Sequence, residues 1–160
     1  MASILHDIYK ADAWLVKTLK KIGHDMDHSI ESIQILEDLI SAEIENGEPL
    51  PNGFFSKHYG WKVFCFSSYI GETIIQITDS AKWNTNDTDP QGEIEIELES
   101  ANGMRMWPGQ RVLKRIMEGE ENNLFHYTQY AIKNMQQDSD VPQDYRRRII
   151  AKPKPWWKFW

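Results

Sequence analysis

Four stretches of the chain carry residue types that do chemistry. The first is Glu72, the one carboxylate in the apolar run YIGETIIQI at 69–77. A carboxylate taken out of water must be paired or neutralised, because desolvation penalises its charged form. Arg111, Lys114 and Arg115 of QRVLKR are the ready partners. A buried structural ion pair of Glu72 with Arg111 or Arg115 is therefore expected, the alternative being an acid at a catalytic or ligand-binding centre. The second is Cys65, the only cysteine, flanked by Phe64 and Phe66. Burial there raises a thiol pKa and blunts its reactivity, and a lone cysteine forms no intrachain disulfide.

The third stretch is GHDMDHS, whose His24 and His28 lie four apart, the spacing that turns two imidazoles toward one metal on a helix. It lacks the glutamate of HExxH and supplies no third ligand, so solvated histidines near a helix start are expected. The fourth is DTDPQGEIEIEL, residues 87–98. Asp87, Asp89, Gln91 and Gly92 imitate the first half of a calcium loop, but Leu98 stands where a bidentate glutamate is required and Pro90 disturbs the loop. This stretch reads as a polar loop entering a strand. The sequence carries neither a glycine-rich phosphate loop nor a GxSxG elbow. No catalytic residue, metal ligand or cofactor is assigned, and the chain is not expected to be an enzyme.

Two surface patterns suggest binding instead. In GEIEIELES, Glu93, Glu95, Glu97 and Glu99 alternate with Ile94, Ile96 and Leu98, giving one buried face and one acidic face. Acidic side chains about 7 Å apart approach the spacing of nucleic-acid phosphates and would plug the basic cleft of a nuclease or another cationic protein. The plainer alternative is a solvated face partly neutralised by nearby lysines. The second pattern is the terminal KPKPWWKFW, where Trp156, Trp157 and Trp160 sit among three lysines. Pro153 and Pro155 hold its approach extended. Clustered indoles are costly in water. The tail is expected to fold back on the acidic body or to dock on a partner; nucleic acid ranks behind these, and a membrane interface also suits it.

Charge is divided along the chain. Residues 144–160 hold six basic side chains against Asp144, or +5, whereas the preceding 143 hold 12 basic and 23 acidic ones, or −11, for a net −6. Such a body repels nucleic acid and attracts basic protein. The 160 residues, 41% hydrophobic, suit one globular domain. Asp7 and Asp12 interrupt the amino terminus before a secretory core builds up, and no window is apolar enough to span a bilayer. A cytoplasmic location is expected.

Ile4, Ile8, Ala11, Leu15, Leu19 and Ile22 recur at helical spacing up to Gly23. Ile30, Ile33, Glu37, Ile40 and Ile44 mark a second helix with one charged interruption. NGEPLPNG, 46–53, is a break. Residues 56–77 predict a largely buried helix, with two strands as the alternative. The acidic strand then turns at Asn102-Gly103 and returns through Met104 to Trp107. Pro108 ends the strand, a helix runs through Val112, Leu113 and Ile116 to Gly119, and Asn122 or Asn123 caps a last helix. The predicted class is α+β, helices packed on a small antiparallel hairpin sheet. One domain spans 1–140, with amino-terminal helices over 1–45, and 141–160 form a basic, Trp-rich tail.

YIGETI at 69–74, the acidic strand, NGMRMWPGQRVLKRIMEGEEN at 102–122 and Tyr127 together resemble a family of small bacterial domains carrying YxGE and WPxxRVxKRxxxGxE motifs. The likeness covers about 60–130, implies a helix over the YxGE segment, and brings no assigned activity. Small acidic bacterial proteins of this kind suggest an immunity protein that blocks a cognate toxin. The expected function is non-enzymatic protein binding through Glu93, Glu95, Glu97 and Glu99, with the tail indoles as a second contact. A small-ligand protein or enzyme centred on Glu72 and Arg111/Arg115, or an adaptor docking through its tail, are the alternatives.

Overall fold

The computed structural model describes residues 3–89, 92 and 95–136. The elements run α1 (Ile4–Lys21), α2 (Ile30–Glu43), β1 (Ile44–Glu45), β2 (Glu48–Pro49), α3 (Tyr59–Thr78), β3 (Ala81–Asn84), β4 (Glu97–Ser100), β5 (Arg105–Met106), α4 (Pro108–Glu118), a 3-10 turn (Glu120–Asn122) and α5 (Leu124–Gln136). One sheet is the β1-β2 hairpin; the other has the order β3-β4-β5, all antiparallel. The class is α+β, as its alternating helical and two-residue periods predict.

α3 is the axis. From Val63 to Ile75 every residue is buried, the pattern of a helix enclosed on all sides. Its polar members keep their hydroxyls inside the helix: Ser67, Ser68, Thr73 and Thr78 each donate to the carbonyl four residues back, at 2.7–2.8 Å. A hydroxyl satisfied this way carries no desolvation penalty into the core. Against α3 pack α1, α4, α5 and β3.

Local chemistry sets the boundaries. Ser3 and Ser29 cap α1 and α2 by accepting from His6 N and Ser32 N, both at 3.2 Å. Pro108 opens α4, where its missing N–H costs nothing. Asn123 caps α5 by accepting from His126 N at 3.0 Å, which settles the choice between the two asparagines. The break at 46–53 contains more structure than its composition predicts, since Asn46 and Gly47, both at positive φ, turn the β1-β2 hairpin. The expected β4-β5 hairpin turns at Asn102-Gly103 but is shorter, at Glu97–Ser100 and Arg105–Met106. β3 was not predicted at all. A four-residue strand is too short for its period to register.

Glu37, the single charge on the predicted face of α2, is 3% exposed and buried against Arg115, itself 4% exposed. Arg115 Nε donates to Glu37 Oε1, and Arg115 Nη2 donates to Ser41 Oγ at 2.8 Å. The other oxygen, Glu37 Oε2, accepts from Leu124 N at 2.8 Å. One carboxylate thus joins α2, α4 and the first turn of α5. The predicted Glu72–Arg115 pair is corrected accordingly: α4 turns Arg115 toward α2.

Arg115→Met leaves the Glu37 carboxylate buried without its countercharge and is expected to cost about 3–5 kcal/mol in urea unfolding. Adding Glu37→Gln, which keeps an acceptor for Leu124 N, should recover part of that loss. Strict additivity of the two substitutions would show that the side chains are not coupled.

Candidate functional site

Glu72 is 4% exposed and accepts from Trp83 Nε1 at 3.1 Å through Oε1. The preceding Gly71 makes room for that indole, since a Cβ at 71 would overlap carbons at the edge of the Trp83 ring. The GE pair is a receptacle, with glycine supplying the flat face and glutamate the acceptor. It seats β3 on α3. Tyr9 of α1 lies close enough that its phenol pKa is pushed up to about 12, by burial first and then by the charge of Glu72. Glu72 therefore faces α1 and β3. Arg111 likewise goes elsewhere: its Nη1 donates to Asn122 Oδ1 at 3.0 Å and its guanidinium lies 4.6 Å from the centre of the Tyr127 ring.

The chain between α1 and α2 is not helical, so the four-residue spacing of His24 and His28 does not set the two imidazoles on one helical face. His28, expected in solvent, is buried at φ 58, with Nε2 2.8 Å from Asp12 Oδ1 and its ring stacked on Tyr69 at 4.5 Å. The His28 N–H donates to Tyr69 Oη at 2.9 Å, and that hydroxyl shares a 2.6 Å hydrogen bond with Ser32 Oγ. Asp12 is not among the site residues expected from sequence. The signal was present, because Asp12 lies on the same helical stripe as Ile8, Leu15 and Leu19. Burial raises the Tyr69 pKa to about 12. Cys65 is fully buried and its thiol is pushed up, by burial first and then by Asp12, as the VFCF run implied. Among the described residues no group of three or more His, Cys, Asp or Glu is placed to hold a metal. Asp87 of the calcium-like stretch accepts from Ile4 N at 2.8 Å and so fastens the start of α1; Pro90 and Gln91 lie outside the described residues.

The acidic strand keeps its alternation, with Ile96 and Leu98 buried and Glu95 exposed. Its glutamates do not form an open row. Across the sheet Glu99 pairs with Lys82 and Arg105, and Glu97 with Asn84. Arg105 Nε sits 3.3 Å from Glu97 Oε1 and Nη2 sits 3.7 Å from Glu99 Oε1, leaving these carboxylate side chains 15% and 29% exposed. Glu97 Oε1 lies within ion-pair distance of Arg105 yet makes no hydrogen bond. The contact is thus electrostatic, and weaker for it. Glu93, Trp156, Trp157 and Trp160, together with the 141–160 tail, lie outside the described residues.

The feature the sequence did not single out is Trp107. At 39% exposure it stands as a ridge between two hollows. One, about 190 Å³, is lined by Asn84, Asp89, Glu95 and Glu97 among others. The other, about 270 Å³, is lined by Arg105, Gln110, Arg111, Lys114, Tyr127 and Tyr130, with Met104 and Met106. Pro108 was the clue: the residue before a proline is held extended, and here that holds the indole at the mouth of α4. An exposed tryptophan with opposite charges on its two sides is a surface of the kind that anchors a macromolecule. In comparison with known proteins, the chain matches no family model, no curated protein and no solved structure.

Alanine for glycine in a helix ordinarily adds about 0.5–1 kcal/mol of stability. Gly71→Ala is instead expected to cost about 1–3 kcal/mol in thermal unfolding, because its methyl displaces the Trp83 indole. Trp83→Leu in the same chain should restore the ordinary sign. A separate expectation concerns alkaline pH. Tyr9 and Tyr69 are raised from 10.0 to about 12. Below pH 10 native and unfolded chains both hold these protons; above it the unfolded chain releases them first, so stability falls as pH rises from 10 toward 12. Circular dichroism should show base unfolding in that window, and the part of the tyrosinate absorbance that Tyr9→Phe removes should appear with it; that part appearing in a fully folded chain would contradict the assignment.

Proposed function

We propose that this chain is a non-enzymatic protein-binding domain whose contact surface is centred on Trp107, and in its most concrete form an immunity protein that occludes a basic toxin. The single observation that carries the reading is the exposed indole flanked by an acidic hollow and a cationic one. Tryptophan, tyrosine and arginine dominate the energetic centres of protein interfaces, and charges of both signs around them fix orientation and reject wrong partners. The −11 balance of residues 1–143 favours a basic partner. The motif likeness to small bacterial domains belongs to the same proposal.

The interior supports binding over chemistry by what its titratable groups already do. Glu37 is paired with Arg115 and Asp12 with His28, Glu72 accepts from Trp83, and the Cys65 thiol is held protonated. Compared with the open acidic face expected from sequence, the described glutamates take a smaller part: among them Glu95 is exposed, while Glu97 and Glu99 share Arg105. No helix among the described residues is long and apolar enough to cross a membrane.

Affinity capture from the cells of origin, with wild type and Trp107→Ala as paired baits, tests the reading. The partner recovered by the wild type should bind Trp107→Ala at least about 30-fold more weakly, the loss of a central anchor of about 2 kcal/mol or more. Glu95→Lys with Glu99→Lys should slow its association and flatten the salt dependence of the rate. Undiminished binding by Trp107→Ala, or substrate turnover abolished by Glu72→Gln, would overturn the proposal.

A further inference from the structure

The hollow between Trp107 and α4 opposes the charge of the body that carries it. Of its lining residues three are cationic and none is acidic. Arg111 is held in place by neutral groups, Asn122 Oδ1 at 3.0 Å and the Tyr127 ring at 4.6 Å, so its charge is oriented and, among the described residues, not cancelled by a salt bridge. Burial raises the Tyr127 phenol pKa and keeps that ring neutral beside it. Lys114, next to the buried Arg115 on α4, is exposed. Arg105 faces the hollow from β5, the edge strand of the sheet, and is braced from behind by Glu97 and Glu99. Tyr130, at 61% exposure, and Trp107 supply apolar walls.

We propose that this hollow receives an acidic segment of the partner protein, with its carboxylates meeting Arg111 and Lys114 and its apolar side chains lying between Trp107 and Tyr130. The inference rests on the protein-binding reading and adds the chemistry of one part of the partner. Charge complementarity identifies the occupant, since carboxylates are the groups that oriented guanidinium and ammonium donors bind most strongly. Size agrees: about 270 Å³ lies below the range of roughly 300–1,000 Å³ in which pockets enclose a whole ligand, and suits a few side chains of a docked chain. An otherwise acidic partner would be repelled by the body, so the acidic segment is local and the partner basic elsewhere. The two hollows on either side of Trp107 would then read a partner of mixed charge in one orientation only.

The test titrates the isotope-labelled full chain with a short synthetic peptide alternating glutamate and leucine, a matched peptide with lysine for glutamate, and inorganic phosphate, following the Trp107 indole N–H resonance. The glutamate peptide should shift it saturably and lose affinity with added salt, while the lysine peptide and phosphate should not saturate over the same range. Lys114→Glu, an exposed change that leaves the fold intact, should weaken the glutamate peptide about tenfold or more. No saturable shift, equal binding of the lysine peptide, equally tight phosphate binding, or indifference to Lys114→Glu each overturns the inference. A captured partner that still depends on Trp107 while the glutamate peptide fails would place the error in the groove alone. Peptide binding beside a partner indifferent to Trp107→Ala would place it in the protein-binding reading.

Discussion

The buried pair of Arg115 and Glu37 is the constraint on which the arrangement of the carboxy-terminal half depends. Two charges at 4% and 3% exposure cannot be left apart in the interior, because the desolvation of each is repaid only by the other and by further hydrogen bonds. Both further bonds are present. Ser41 Oγ accepts from the guanidinium and Leu124 N donates to the carboxylate, so α2 fixes at once the roll of α4 and the start of α5. Once α4 is fixed, its N-terminal neighbour Trp107 and its outward cations Arg111 and Lys114 follow. The surface proposed to bind is thus oriented from the inside.

Two smaller polar ties do the same for the other half. Asp12, His28, Tyr69 and Ser32 link α1, the segment after it, α2 and α3 through contacts of 2.6–2.9 Å. Glu72 and Gly71 seat the Trp83 indole and with it the three-stranded sheet. Each tie directs one face of α3 or α2 toward a particular neighbour, which a purely apolar contact would leave free to slide. Interior carboxylates that serve as fasteners are poorly placed to serve as acids or bases. Trp107 and Tyr130 remain accessible at the surface, where the proposed contact lies.

The placement of Arg105 shows how one side chain changes the meaning of a pattern. Read along the strand, the glutamates form a row of like charges. In the sheet, β5 brings a guanidinium across two of them, and Lys82 stands beside one from the other edge. The exposed acid is Glu95, on the far side of Trp107 from Arg111 and Lys114. A face of one sign becomes a border between two.

The amino-acid order alone determined the periodic features: the stripes of α1 and α2, the enclosure of α3, the alternation of β4, the Asn102-Gly103 turn and the start of α4 at Pro108. Each is set by neighbours within a few positions, where spacing and backbone preference act. It also marked Glu37 and Glu72 as carboxylates on apolar faces, and carried the same mark at Asp12. What it did not contain was the partner of each. Arg111, Lys114 and Arg115 are all cationic candidates for a buried carboxylate, and a choice among them depends on which helix lies within about 3 Å, a separation fixed only when α2, α4 and α5 pack together. The border of opposite charges at Trp107 has the same origin, because it joins residues from β4, β5, α4 and α5 that no local spacing brings side by side.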